Sequence, residues 1–149
     1  MKYAATLIAL AALTGCDAKD PQPEAAQTSA QTPVPAPSTS RDPGEVMIGW
    51  AKAVSLRDWA AARAYWGERG ATSGLSEQEF AQTWSGLKNP DVSLGVGQRE
   101  NAAGTSLYSA PVIIADGQRR IAGIVVLRRI NNSNSEQLRW HIVSSTLQP

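Results

Sequence analysis

Between Pro90 and Asp91 the hydrophobic period of this chain changes from that of a helix to that of a strand, which narrows the folds open to it. Ahead of the change, Val46, Trp50, Ala53 and Val54 recur at helical spacing, and Met47 and Leu56 widen the apolar stripe. Asp42 can cap this helix, Pro43 suits its first position, and Glu45 follows three residues after the cap. Asp58 can cap a second helix with Trp59, Ala62, Tyr65 and Trp66 on one face, and Gly67, Gly70 and Gly74 end it in a loop. Ser76-Glu77-Gln78-Glu79 is a capping box for a third helix carrying Phe80, Trp84 and Leu87, which Pro90 stops.

After the change, Val92, Leu94 and Val96 alternate with small residues. Asn101-Ala102-Ala103-Gly104 reads as a turn, and Leu107 to Ile114 as a strand in which Pro111 marks an edge or a bulge. Asp116-Gly117 is a hairpin signal, and Ile121 to Ile130 is a long strand whose apolar middle predicts burial on both faces. Asn131 to Asn134 turns the chain into a last strand, Leu138 to Leu147, with Leu138, Trp140 and Ile142 alternating against Arg139, His141 and Val143. Helices first and hairpin-linked strands afterwards predict an α+β domain over residues 43–149. Its three N-terminal helices pack on one face of a curved antiparallel sheet of about four strands. That length supports one core.

Residues 17–42 have a different character: Pro21, Pro23, Pro33, Pro35 and Pro37 punctuate Ala, Gln, Ser and Thr, and Val34 is the only large aliphatic. Such a tract cannot bury enough apolar surface to offset its ordering entropy, so a spacer of roughly 25–30 Å mean reach is expected. Lys2 followed by the uncharged run Tyr3 to Leu13 has the pattern of a cleaved secretory leader, residues 1–15. As a helix the run spans about 16 Å, short of the roughly 30 Å hydrocarbon layer. Leu13-Thr14-Gly15-Cys16 resembles the lipobox of bacterial lipoproteins: aliphatic, small, small, cysteine. The resemblance implies a diacylglyceryl thioether on Cys16, cleavage before it, and a membrane anchor in the cell envelope facing the periplasm. Asp17 resembles an inner-membrane retention signal, with the outer membrane as the other destination. Cys16 is the only cysteine, so no disulfide staples the domain. Loss of residues 1–15 removes Lys2 and no acid, which leaves a formally neutral chain and no electrostatic footprint for nucleic acid.

The order of elements, Trp50…Asp58-Trp59…Tyr65-Trp66 in the helices and Trp140-His141-Ile142 in the last strand resemble the nuclear transport factor 2-like, or ketosteroid isomerase-like, superfamily. Gly104-Thr105-Ser106-Leu107-Tyr108…Pro111-Val112 and Leu127-Arg128-Arg129-Ile130-Asn131 are similar to a group of small bacterial lipoproteins. The resemblance implies a cone whose sheet wraps round a pocket, with Trp50, Trp59, Tyr65, Trp84, Tyr108 and Trp140 as candidate lining residues. Relatives include isomerases, dehydratases and binding modules, so fold leaves function open.

Proton transfer in such a pocket needs a carboxylate or imidazole base and a donor for an enolate oxygen. His141, the only histidine, with Tyr65 and Asp58, supplies the weak catalytic candidates. Each has a plainer explanation: a strand-face imidazole, a core-edge ring and a helix cap. Asp116 suits a turn. One histidine and one cysteine make a metal site improbable, and no phosphate loop or nucleophile elbow appears, so neither metal nor cofactor is expected. The expected function is binding without catalysis, of a small apolar ligand or an envelope protein. A small isomerase or dehydratase is the first alternative, and an assembly piece that dimerises through its sheet face the second.

Overall fold

Helices in this domain begin where a side chain can cap them. The structure is a computed structural model that describes residue 37, residues 39–131 and residues 138–149. The leader, Cys16 and the spacer up to residue 36 lie outside the described residues, as does most of the Asn131–Asn134 turn. The chain divides into Met1–Gln31 and Thr32–Pro149, and the account below concerns the second unit.

The Asp42 carboxylate accepts from the Gly44 amide at 2.8 Å and opens helix α1, Pro43–Ser55, with Pro43 at its first position. The Asp58 carboxylate accepts from the Ala61 amide at 2.9 Å and opens helix α2, Trp59–Ala64. At helix α3, Glu77–Trp84, the Ser76 hydroxyl accepts from the Glu79 amide and the Glu79 carboxylate from the Ser76 amide, at 3.2 and 2.8 Å. Between α2 and α3 the expected open loop is a 3-10 segment, Glu68–Ser73, kinked where Glu68, Arg69 and Gly70 all take positive φ. The Arg63 side chain holds it: Nε donates to the Leu75 carbonyl at 2.8 Å and Nη1 to the Arg69 carbonyl at 3.3 Å. Gly70 cannot be replaced there, because a Cβ would stand 2.9 Å from the Arg63 carbonyl at a φ of +96°.

The sheet has five strands: β1 Asp91–Leu94, β2 Gln98–Ala102, β3 Thr105–Asp116, β4 Arg119–Ile130 and β5 His141–Ser145. All pairings are antiparallel, in the order β1-β3-β4-β5, with β2 also on β3. Five strands instead of about four follows from β2, since Asn101 and Ala102 continue a ladder and only Ala103 and Gly104 turn. β1 and β2 lie end to end along β3, interrupted at residues 95–97 opposite Pro111. In an antiparallel strand a residue's nitrogen and carbonyl face the same neighbour. The Pro111 carbonyl accepts from the Gly95 amide, so its missing N–H falls at this interruption. The interruption also turns Val96 outward, 92% exposed, against the expected alternation.

The β3–β4 hairpin runs unbroken from Asp116↔Arg119 to Thr105↔Ile130, and Gly117 at φ +61° supplies the left-handed residue of its turn. β4 is buried on one face only: Ile121, Val125 and Leu127 are inside, whereas Ile124 is 48% exposed, contrary to the expectation of two buried faces. β5 starts at His141, later than expected, because Arg139 and Trp140 bond backward instead of along a ladder. Arg139 Nη2 donates to the Pro37 carbonyl at 2.9 Å and Trp140 Nε1 to the Arg41 carbonyl at 3.0 Å. The outer edge of β5 is covered by the stretch after α2, where the Ile142 amide donates to the Tyr65 carbonyl at 2.8 Å.

The core lies between the helices and one sheet face. Val46, Met47, Trp50, Ala53 and Val54 of α1 meet Ala110, Val112, Ile114, Val125, Leu127 and Ile142. Each large side chain buried there contributes about 1.5–3 kcal/mol. Leu56 stays outside the stripe at 59% exposure, since α1 has ended before it.

Candidate functional site

Capping by Asp58 starts α2 at Trp59 and so fixes which way that ring faces. Trp59 stacks on Trp84 of α3, with ring centroids 6.2 Å apart and planes 24° from parallel. Phe80, one turn earlier on α3, lies 6.2 Å from Trp84 at 39°. These rings, with Trp50 and Val54 of α1 and Trp66 after α2, face Val125, Ile142 and Leu147 across a cavity of about 170 Å³. Trp50 and Ile142 are fully inside, whereas Trp59, Trp66 and Leu75 are half-buried and mark the mouth. The polar lining consists of Ser73, Thr83 and Ser145, and the hydroxyls of Ser73 and Thr83 donate to the Gly70 and Glu79 carbonyls. Among the described residues that line it, which include Pro149, none carries an acidic, basic or cationic side chain.

A second cavity, about 400 Å³, opens on the far side of Trp66. It is lined by Pro37, residues 64–69, Arg139, Trp140 and His141. It is the larger of the two, but its polar rim and exposed Glu68 and Arg69 make it a wet cleft. The aromatic cavity is the one shaped to enclose a small molecule, because apolar walls remove most of a ligand's surface from water.

The structure separates the residues singled out from the sequence. Trp50, Trp59 and Trp84 meet in the aromatic cavity; Tyr65 and Trp140 line the second; Tyr108 lines neither. Tyr108 instead lies over Gly97, where a Cβ would fall 2.1 Å from its hydroxyl. Trp140 carries the Arg99 guanidinium 5.1 Å above its ring. Asp58 is engaged as a cap, and the Tyr65 hydroxyl is buried against Gly49 of α1. His141 is half-buried and lines the second cavity, its ring beside Gly67. Sequence reasoning missed Trp66, Leu75, Phe80 and Leu147 as lining. Phe80 and Trp84, four apart behind a capping box, carry the one signal that could have found a wall. Among the described residues no three acid, histidine or cysteine side chains gather to hold a metal ion, and no helix is long and apolar enough to cross a membrane.

No family model and no curated protein matches the chain. Among solved structures it is similar to a candidate dehydratase of the NTF2-like family from Streptomyces avermitilis, with 13% identity and a TM-score of 0.46. That likeness covers 68% of this chain and 88% of the other. That likeness carries nothing about chemistry. The strands and helices above define the class by themselves: an α+β domain whose antiparallel sheet is roofed by short helices that meet in an aromatic-lined cavity.

Proposed function

We propose that this domain is a binding module of nuclear transport factor 2-like form, held at the envelope membrane by a lipid on Cys16, that takes a small apolar molecule into the tryptophan-lined cavity. The carrying observation is the convergence of Trp50, Trp59, Trp66, Phe80 and Trp84 on one cavity free of ionisable side chains among the described residues. Aromatic walls favour binding, and proton transfer would need an acid or base that this lining lacks. Size narrows the ligand. An apolar cavity of about 150 Å³ accepts benzene, whereas pockets for drug-sized molecules start near 300 Å³. At about 170 Å³ this cavity suits a single ring or a short branched chain, and a four-ring steroid exceeds it.

Titration with toluene, followed through the indole N–H signals in a two-dimensional NMR spectrum, tests the reading. Signals of Trp50, Trp59 and Trp84 are expected to move together and saturably. Leu75→Trp, which fills the mouth, is expected to abolish the shifts while the rest of the spectrum stays folded. Unmoved cavity signals at saturating toluene would remove the proposal.

A further inference from the structure

The second cavity has what the first lacks, charged residues in its lining. Arg69, Arg139 and Glu68 are among them, and His141 stands with them. Its lining comes from two distant stretches of chain that backbone bonds clamp together. The Ile142 amide donates to the Tyr65 carbonyl at 2.8 Å, and the Gly67 amide to the Ile142 carbonyl at 3.4 Å. Arg139 is half-buried, and its Nη2 donates to the Pro37 carbonyl at 2.9 Å. Pro37 also lines the cleft, so this contact sets the guanidinium at its wall. Arg69 belongs to the other stretch and is exposed, on a backbone that the Arg63 side chain fixes through the Arg69 and Leu75 carbonyls.

We propose that this cleft binds a small organic acid, its carboxylate taken by Arg139 and Arg69 and its apolar body laid against Trp66. The planar fork of a guanidinium matches the two oxygens of a carboxylate, and such charge-assisted bonds are roughly twice as strong as neutral ones. Two arginines stand against the single acid Glu68, so the lining favours an anion over a cation. Size sets the body of the ligand. At about 400 Å³ the cleft falls among pockets for drug-sized molecules, which start near 300 Å³, so two fused rings fit where the aromatic cavity admits one. Because Glu68 and Arg69 are exposed, water reaches the site and added salt weakens the attraction. Among the described residues Trp66 alone lines both cavities, so the two sites can be followed separately.

Titration of the full chain carrying Cys16→Ser with 2-naphthoate, followed by calorimetry and two-dimensional NMR, tests the site. Saturable binding is expected, with the signals of Trp66 and His141 moving and those of Trp50 and Trp84 unmoved. 2-Naphthamide, its uncharged counterpart, should bind about tenfold more weakly or worse. Arg69→Gln leaves the contact of Arg139 with Pro37 in place and should weaken the acid by about tenfold. Glu68→Gln removes a repelling carboxylate and should tighten it by about two- to threefold, a gain that misfolding cannot produce. An amide that binds as well as the acid, or unchanged affinity in Arg69→Gln, would overturn the proposal. So would shifts at Trp50 and Trp84 in place of His141, or the absence of saturable binding.

Discussion

Asp116 shows how far one side chain can reach beyond its local role. Next to Gly117 it reads as a turn former, yet its two carboxylate oxygens each accept a backbone amide, from Lys88 and Asn89, both at 2.8 Å. It therefore ties the loop after α3 to the β3–β4 hairpin across 28 and 27 residues of sequence. The Lys88 amide first, then that of Asn89, hold its carboxyl below the ordinary carboxylate value, with Arg119 and Lys88 charges adding in the same direction. A folded-state value below the unfolded one stabilises the fold above the unfolded value, and the contribution is lost as pH falls through the folded one. Asp116→Asn is thus expected to lower the melting midpoint at neutral pH, with the gap to the parent closing as the solution is acidified. Melting curves taken down through the carboxylate range check this; a gap that stays constant would show that Asp116 acts by shape alone. Nothing at position 116 announces the tie. The neighbouring residue type selects turns, whereas the acceptor role depends on where a distant helix ends.

Helix starts were legible because capping is local: Asp42, Asp58 and Ser76 all stand where their sequence context puts them. Strand β2 was not, since Gln98–Ala102 is exposed at every position and shows no alternation. Its strand character is conferred by pairing with β3, a tertiary effect that propensity does not carry. The run of left-handed residues at Glu68 and Arg69 is hidden for a similar reason: beside Gly70, the Arg63 guanidinium brought from α2 holds it. The candidate site divides the same way. Rings on one helix could be grouped by spacing, but their partition between two cavities depends on how α2 meets α3. That meeting suggests a test. Ser76→Ala removes the acceptor for the Glu79 amide and should cost about 1 kcal/mol. For a domain of this size that lowers the melting midpoint by about 4–8 °C. Because α3 carries Phe80 and Trp84, near-ultraviolet circular dichroism from the Trp59–Trp84 stack should weaken in parallel. Loss of stability with an unchanged aromatic signal would separate the cap from the cavity wall.

At the scale of the whole chain, the proposed lipid on Cys16 raises the question of what an anchor would give a small domain with this cavity. Pro37 and Arg41, which lie within the tract expected as a spacer, give their carbonyls to Arg139 and to the Trp140 indole. If the proposed anchor holds, a coil of the length of residues 16–37 would reach roughly 25 Å from the bilayer surface. A single acyl chain would hold such a protein only marginally, whereas the diacylglyceryl group and further acyl chain implied by the lipobox anchor it durably. The prediction is therefore specific in mass and in location. Intact-mass measurement of the membrane-derived protein should find a chain that begins at Cys16 and carries a diacylglyceryl group. Cys16→Ser should block that modification and remove the processed form from the membrane fraction, while leaving toluene binding in the domain intact. A chain cut elsewhere, or an unmodified Cys16 in the mature protein, would dissociate the spacer from any anchoring role and leave the cavity as the property on which function rests.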